Sequence, residues 1–213
     1  GLGATATFQA WFADSTVKLT PGTPCPTGVR DTIRISTAAN ESQSFQLVLS
    51  PKADFEFRDI RVSSLASGEH RLAATKVEFH QIEYVKVTKR ARVNQVSFFD
   101  SIGDPLVAVT SRQVKAGAGN VAFWVTLRTP AKTTAGIYTG TLSVVGGQGA
   151  SMEFPLAVTV HDFELPEFSS FRSNMGGQYL AKKGSQPGVN PVMAYHGLKS
   201  KSELKKLALK YYE

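Results

Sequence analysis

The side chains able to do chemistry are few and scattered. A single cysteine, Cys25, sits in TPCPT, and the four histidines, His70, His80, His161 and His196, lie far apart. Zinc needs about four N and S ligands, usually paired at short spacing. His161–Asp162 has no such partners, so no metal is expected. One thiol forms no internal disulfide; it either pairs outside these residues or is simply buried. The glycine-rich GGQGA at 146–150 lacks the following helix and the Lys–Ser/Thr pair of a phosphate loop, and reads as a hairpin turn. No cofactor is expected.

Polar and aromatic candidates remain. Asn40 and Glu41, in AANESQSF, have two readings. Glu41 could ligate a cation or a sugar. Alternatively the pair takes up backbone hydrogen bonds at a corner between two strands, as short polar side chains commonly do. The corner reading is preferred. Tyr138, in AGIYTG, suits the tyrosine corner of sandwich domains, with Gly136 and Gly140 permitting close backbone geometry. Sugar stacking is its rival role. Trp11 and Trp124 could also stack on sugar faces, yet both fall within strand patterns, where core packing is expected.

These side chains must be positioned by β structure. The pattern gives seven to nine short strands with turn signals about every ten residues, which argues an all-β, two-sheet antiparallel β-sandwich of immunoglobulin-like type. Residues 5–11 read as a first strand, and the three prolines of 20–28 as a loop. In 31–37, Ile33 and Ile35 share a face. In 44–49, Phe45, Leu47 and Leu49 point inward and Gln46 outward. A weaker strand covers 55–62. In 76–87 the apolar phase changes near Gln81 and Ile82, which implies a bulge or burial on both faces. Residues 89–105 read as a mobile loop with Phe98 and Phe99, followed by a short strand at 106–109. Val121, Phe123, Val125 and Leu127 line one face of the next strand, and 136–145 pairs with 153–163 as a hairpin.

After Pro166 the composition changes. A short strand at 171–175, a Gly- and Pro-rich loop and a helix at 200–212 make one β/α unit. Ser200 or Ser202 caps the helix, and Leu204, Leu207, Ala208 and Tyr211 form its apolar stripe. Such a unit cannot bury that stripe alone, so it packs on the sandwich or opens a larger barrel. The expected domains are a sandwich at 1–166 and the start of a truncated (β/α)8 barrel at 167–213.

The formal charge of +7 is unevenly spread. From Arg172 to Glu213 there are eight Lys/Arg and two Asp/Glu, a balance of +6; residues 1–171 carry 16 and 15, a balance of +1. A nucleic-acid-binding domain would carry its basic face on the folded core, so no nucleic-acid partner is expected. The basic tail reads as a solvated helix face. No apolar run approaches the roughly 20 residues of a membrane-spanning helix, and the N-terminus has no targeting pattern.

Three segments, AANESQSFQLVLSP (38–51), WVTLRTPAKTTAGIYTGTLSV (124–144) and FPLAVTVHDFELP (154–166), stand in an order and spacing that resemble the N-terminal β-sandwich domain of glycoside hydrolase family 123 and related uncharacterised bacterial proteins. The resemblance implies a following (β/α)8 barrel with β-N-acetylgalactosaminidase-like activity. There the substrate's acetamido oxygen attacks the anomeric carbon, and an adjacent Asp–Glu pair orients that group and protonates the leaving oxygen, an exception to the two-carboxylate scheme. The partners it implies are the missing barrel and a glycan substrate, and the location it implies is extracellular or periplasmic.

Within 168–213 the only acids are Glu203 and Glu213, on or after the helix and not at a strand end, where barrel chemistry sits. No catalytic residue is therefore assigned, and these residues alone are expected to be inert as a glycosidase. Asn174, Gln178 and His196 fall on the catalytic side of the first barrel strand and are candidate substrate-binding residues. Two rival functions remain open. One is an independent carbohydrate-binding or cell-surface adhesion module, which needs a row of exposed aromatics and has only Phe79, Tyr84, Phe98 and Phe99 to offer. The other is a structural subunit that contacts partners through the basic helix.

Overall fold

Apolar alternation decides the architecture. In the strand Val121–Thr129, the side chains of Val121, Phe123, Val125 and Leu127 all point to one face and are fully or almost fully buried. Phe45, Leu47 and Leu49 do the same in Glu41–Pro51, and the two strands pair antiparallel with Phe123 opposite Leu47. Burying each such side chain contributes about 1.5–3 kcal/mol, so the registers that align these faces prevail.

The computed structural model describes residues 2–28, 31–86, 101–147, 150–167 and 203. Thirteen strands occur among them: β1 (Gly3–Ala4), β2 (Phe8–Asp14), β3 (Ile33–Ala39), β4 (Glu41–Pro51), β5 (Phe55–Val62), β6 (Leu65–Ser67), β7 (His70–Leu72), β8 (Val77–Lys86), β9 (Ser101–Ala108), β10 (Arg112–Val114), β11 (Val121–Thr129), β12 (Gly136–Gly146) and β13 (Met152–Glu164). One sheet runs β1-β2-β4-β11-β8-β9. The other runs β10-β5-β12-β13-β3, with the small β6–β7 hairpin against β12. Every pairing is antiparallel except β13 with β3. The result is a two-sheet, all-β sandwich. The inner faces meet in one apolar core, where Phe57 and Phe123 stack across the sheets with centroids 4.9 Å apart and Phe8 lies 5.1 Å from Phe55.

By compactness the chain divides into Gly1–Glu167 and Phe168–Glu213. The second unit lies outside the described residues except for Glu203, which is helical and exposed. The expected strand at 171–175, the rest of the helix at 200–212, and Phe98–Phe99 are likewise outside them.

Several expectations change in detail. The strand expected at 5–11 is β2, which begins at Phe8 and reaches Asp14, and the two-residue β1 precedes it. The weak strand at 55–62 is a full member of the second sheet, and its Phe55, Phe57 and Ile60 are core. Residues 101–105, expected to belong to a mobile loop, are strand: β9 starts at Ser101 and passes through Pro105. Its register against β8 shifts between Ile82 and Tyr84, where one residue of β8 faces Asp104 and Pro105 of β9. A bulge of this kind tolerates a proline, which has no N–H to give the ladder. β8 itself keeps strict alternation, and the apparent phase change arises because Gln81 is buried on the inner face and Ile82 on the outer. The hairpin β6–β7 turns at Gly68, whose φ of +56° suits glycine.

Candidate functional site

The three segments that carry the family resemblance meet at one end of the sandwich, where the chain leaves it. The turn from β3 to β4 places Asn40 at φ +58°, a left-handed conformation that Asn tolerates better than most residues. Its backbone N–H donates to the Pro130 carbonyl at 3.1 Å, and its side-chain amide donates to the Leu165 carbonyl at 2.9 Å. Leu165 N–H returns a bond to the Ala39 carbonyl at 2.9 Å. Glu41 folds back on the same corner, where its Oε2 accepts from Ala38 N–H at 2.6 Å and from the Thr37 hydroxyl at 3.2 Å. Thr37 and Thr129, both buried, lie 3.2 Å apart hydroxyl to hydroxyl.

The loop between β11 and β12 closes the corner. Lys132 N–H donates to Glu164 Oε2 at 2.7 Å, and the Thr133 hydroxyl to the Pro130 carbonyl at 2.7 Å. Tyr138, fully buried, donates its hydroxyl to the Thr134 carbonyl at 2.9 Å. Gly140 is needed for space, since a Cβ there would lie 2.6 Å from a Leu65 methyl. A concavity of about 220 Å³ beside the corner is lined by Asn40, Glu41, Lys76, Arg128 and Pro130. In this arrangement Glu41 is engaged with backbone and hydroxyl donors, so the corner holds the exit of the chain by hydrogen bonds.

Thr37, Thr129 and Glu164 were not singled out from the sequence. A signal existed for two of them: Thr37 continues the inward phase of Ile33 and Ile35, and Thr129 that of Val125 and Leu127. A polar residue at an inward position must find a partner. Asn174, Gln178 and His196 lie outside the described residues.

The outer face of the six-stranded sheet carries a second cluster. Trp11, Val48, Ala122 and Ile82 form one row across β2, β4, β11 and β8, capped by Leu19 from the loop after β2. Side-chain amides tie that loop down. Gln46 Nε2 donates to the carbonyls of Asp14 (2.9 Å) and Val17 (2.8 Å), and Asn120 Nδ2 to that of Thr23 (2.7 Å). Trp11 Nε1–H donates to Ser50 Oγ at 2.9 Å, and Ser50 donates on to Asn120 Oδ1 at 2.7 Å. Gln46 thus points outward, as the alternation implied, yet is only 4% exposed because the loop covers it. Cys25 is a free, half-buried thiol packed on this cluster.

Every described carboxylate with a displaced pKa is displaced downward. The Lys115 ammonium and the Ala116 N–H hold Asp54 low, Arg58 does so for Glu56 and Arg128 for Glu78, while hydrogen bonds from Thr16 lower Asp14. A general acid needs the opposite shift. The Tyr84 hydroxyl is pushed up to about 12 by burial and finds no partner. Among the described residues no three His, Cys, Asp or Glu side chains cluster as metal ligands, and no helix is long and apolar enough to cross a membrane.

Comparison with known proteins gives a fold. No protein-family model matches the chain, and no curated protein does. Among solved structures it is similar to a family 123 glycoside hydrolase from Clostridium perfringens that acts on glycolipid glycans, with 12% identity and a TM-score of 0.63 over 75% of this chain. A looser likeness is to PapD-like domain 7 of human CEP192, with 12% identity, a TM-score of 0.34, and 76% of this chain and 92% of that one covered. The match to the hydrolase spans 28% of that protein's length, and at this identity what the two share is a β-sandwich of related fold.

Proposed function

We propose that residues 1–166 are the non-catalytic β-sandwich of a glycoside hydrolase-like, β-N-acetylgalactosaminidase-like protein, and that 167–213 begin its (β/α)8 barrel. The observation that carries this reading is the fold similarity to one part, 28%, of a family 123 hydrolase. It is joined by the order of the three sequence segments and by their convergence on the corner from which the chain leaves the sandwich. In this reading the corner is structural: Asn40 and Glu41 tie down the turn from β3 to β4 and the end of β13, and Tyr138 ties down the loop before β12. Asn174, Gln178 and His196 would contact the glycan, and the protein would work extracellularly or in the periplasm.

The rival adhesion module, built on a row of exposed aromatics, finds less support among the described residues. Phe79 packs against the inner core and Tyr84 against the outer cluster. The test is an assay of the 213-residue chain on chromogenic N-acetylhexosaminides beside the same assay on the polypeptide extended by the next few hundred encoded residues. Activity is expected only in the longer protein. Turnover by the shorter chain, or an extension with no Asp–Glu pair at a strand end, would discard the proposal.

A further inference from the structure

The outer face of the six-stranded sheet is covered in part by the loop after β2, and β9 forms the edge of the sheet beside it. Between them lies a slot of about 220 Å³. Its apolar lining is Ile82, Leu106 and the half-buried indole of Trp124, and its polar lining includes Gln46, Lys18 and Asp104. Drug-sized ligands take pockets of about 300 Å³ and more, so this slot is the size of one small ring.

Several polar atoms around it have no partner among the described residues. Trp11 gives its indole N–H to Ser50, whereas the indole N–H of Trp124 has no acceptor among the described residues. Gln46 commits both amide hydrogens to the loop carbonyls of Asp14 and Val17. That fixes which end of the amide is oxygen and leaves Oε1, on a side chain 96% removed from solvent, as an acceptor without a partner but not sealed off. Lys18 and Asp104 pair neither with each other nor with any other described residue, although Glu56, Glu78 and Asp54 all hold cations.

One indole face, one oriented amide oxygen, an N–H donor and a rim of one ammonium and one carboxylate describe a ligand of definite chemistry. It has an apolar face to lie on the indole and an edge that both donates and accepts hydrogen bonds. The rim is neutral in sum, so a net charge is not selected. We propose that this slot binds a single neutral pyranose ring, with its C–H face on Trp124 and its hydroxyls shared by Gln46 Oε1 and Asp104. The rigid amide and the bulged β9 place these groups before the ligand arrives, which lowers the ordering cost of binding. The inference is independent of whether the protein carries a hydrolase barrel.

The chain's two tryptophans make the test direct, because they give two indole N–H signals in a nitrogen-correlated proton spectrum. Trp124→Phe identifies which is which. Titrating the 213-residue chain with methyl β-galactopyranoside and methyl N-acetyl-β-galactosaminide should move the Trp124 signal saturably at about millimolar concentration, with Trp11 still. Asp104→Asn should weaken that binding about tenfold, the size of one hydrogen bond to a charged group. Leu106→Arg, at a position 47% exposed, should abolish it while leaving the rest of the spectrum in place. A Trp124 signal that stays still, that moves equally with glycerol, or that keeps its affinity in both variants would overturn the assignment.

Discussion

The two faces of the six-stranded sheet are both buried, but by different means. The inner face meets the second sheet through aliphatic and aromatic contacts, with Phe123 on Phe57 and Leu47 and Leu49 beside them. The outer face is covered by a single irregular loop held by the amides of Gln46 and Asn120 and by the chain Trp11–Ser50–Asn120. Dispersion and water exclusion act over a whole surface without direction, so the inner face needs only alternation and volume. A loop of three prolines has no ladder to offer, and specific donors must meet its carbonyls one by one.

The contrast can be broken at several points. The largest effect is expected at Phe123→Ala, which should cost about 3–5 kcal/mol through the cavity left between the sheets, read from the midpoint of chemical unfolding. Glu41→Ala should cost about 2 kcal/mol, because it strips a charge-assisted bond from Ala38 N–H and removes one of the partners of the buried Thr37 hydroxyl, which keeps Thr129. Unchanged stability there would mean that the corner does not depend on Glu41. Gln46→Leu keeps the volume but loses both loop carbonyls. Its cost is about 1–2 kcal/mol, and it should expose residues 15–28 to protease before the rest of the sandwich. If cleavage there is no faster, the amide does not hold the loop.

The smallest effect should have the opposite sign. Tyr84 buries a hydroxyl with no partner, so Tyr84→Phe should raise stability by up to about 1 kcal/mol at neutral pH. Ionisation sharpens the point. An unfolded tyrosine loses its proton near pH 10 and the folded Tyr84 only near about 12. The native state therefore keeps its proton longer than the unfolded chain. Wild-type stability should fall as pH rises from 10 to about 12, and the Phe variant should lack that component. Equal alkaline profiles for the two proteins would count against burial of this hydroxyl.

Much of the inner face was legible because period-two alternation needs no knowledge of the partner. Val121 to Leu127 and Phe45 to Leu49 suffice to orient both strands. The corner was partly legible: Asn40, Glu41 and Tyr138 stand out as polar types in turn-like settings, but their acceptors at Thr134 and Leu165 depend on which loops the topology brings together. The outer cover was not legible. Gln46 and Asn120 look like solvated residues until a loop from elsewhere in the chain is laid over them. The strand through Pro105 was hidden for a related reason, because a proline argues against a ladder unless a bulge receives it.

That bulge has a consequence for how the protein behaves among its own copies. Among the described residues β9 is an outermost strand, and it carries Leu106 and Val107, both partly open to water. A flat run of this kind would template sheet-to-sheet joining between molecules. The missing N–H of Pro105 and the register shift across Asp104 and Pro105 interrupt the hydrogen-bonding pattern that such joining requires. The irregularity that obscured this strand in the sequence also acts as its guard against self-association.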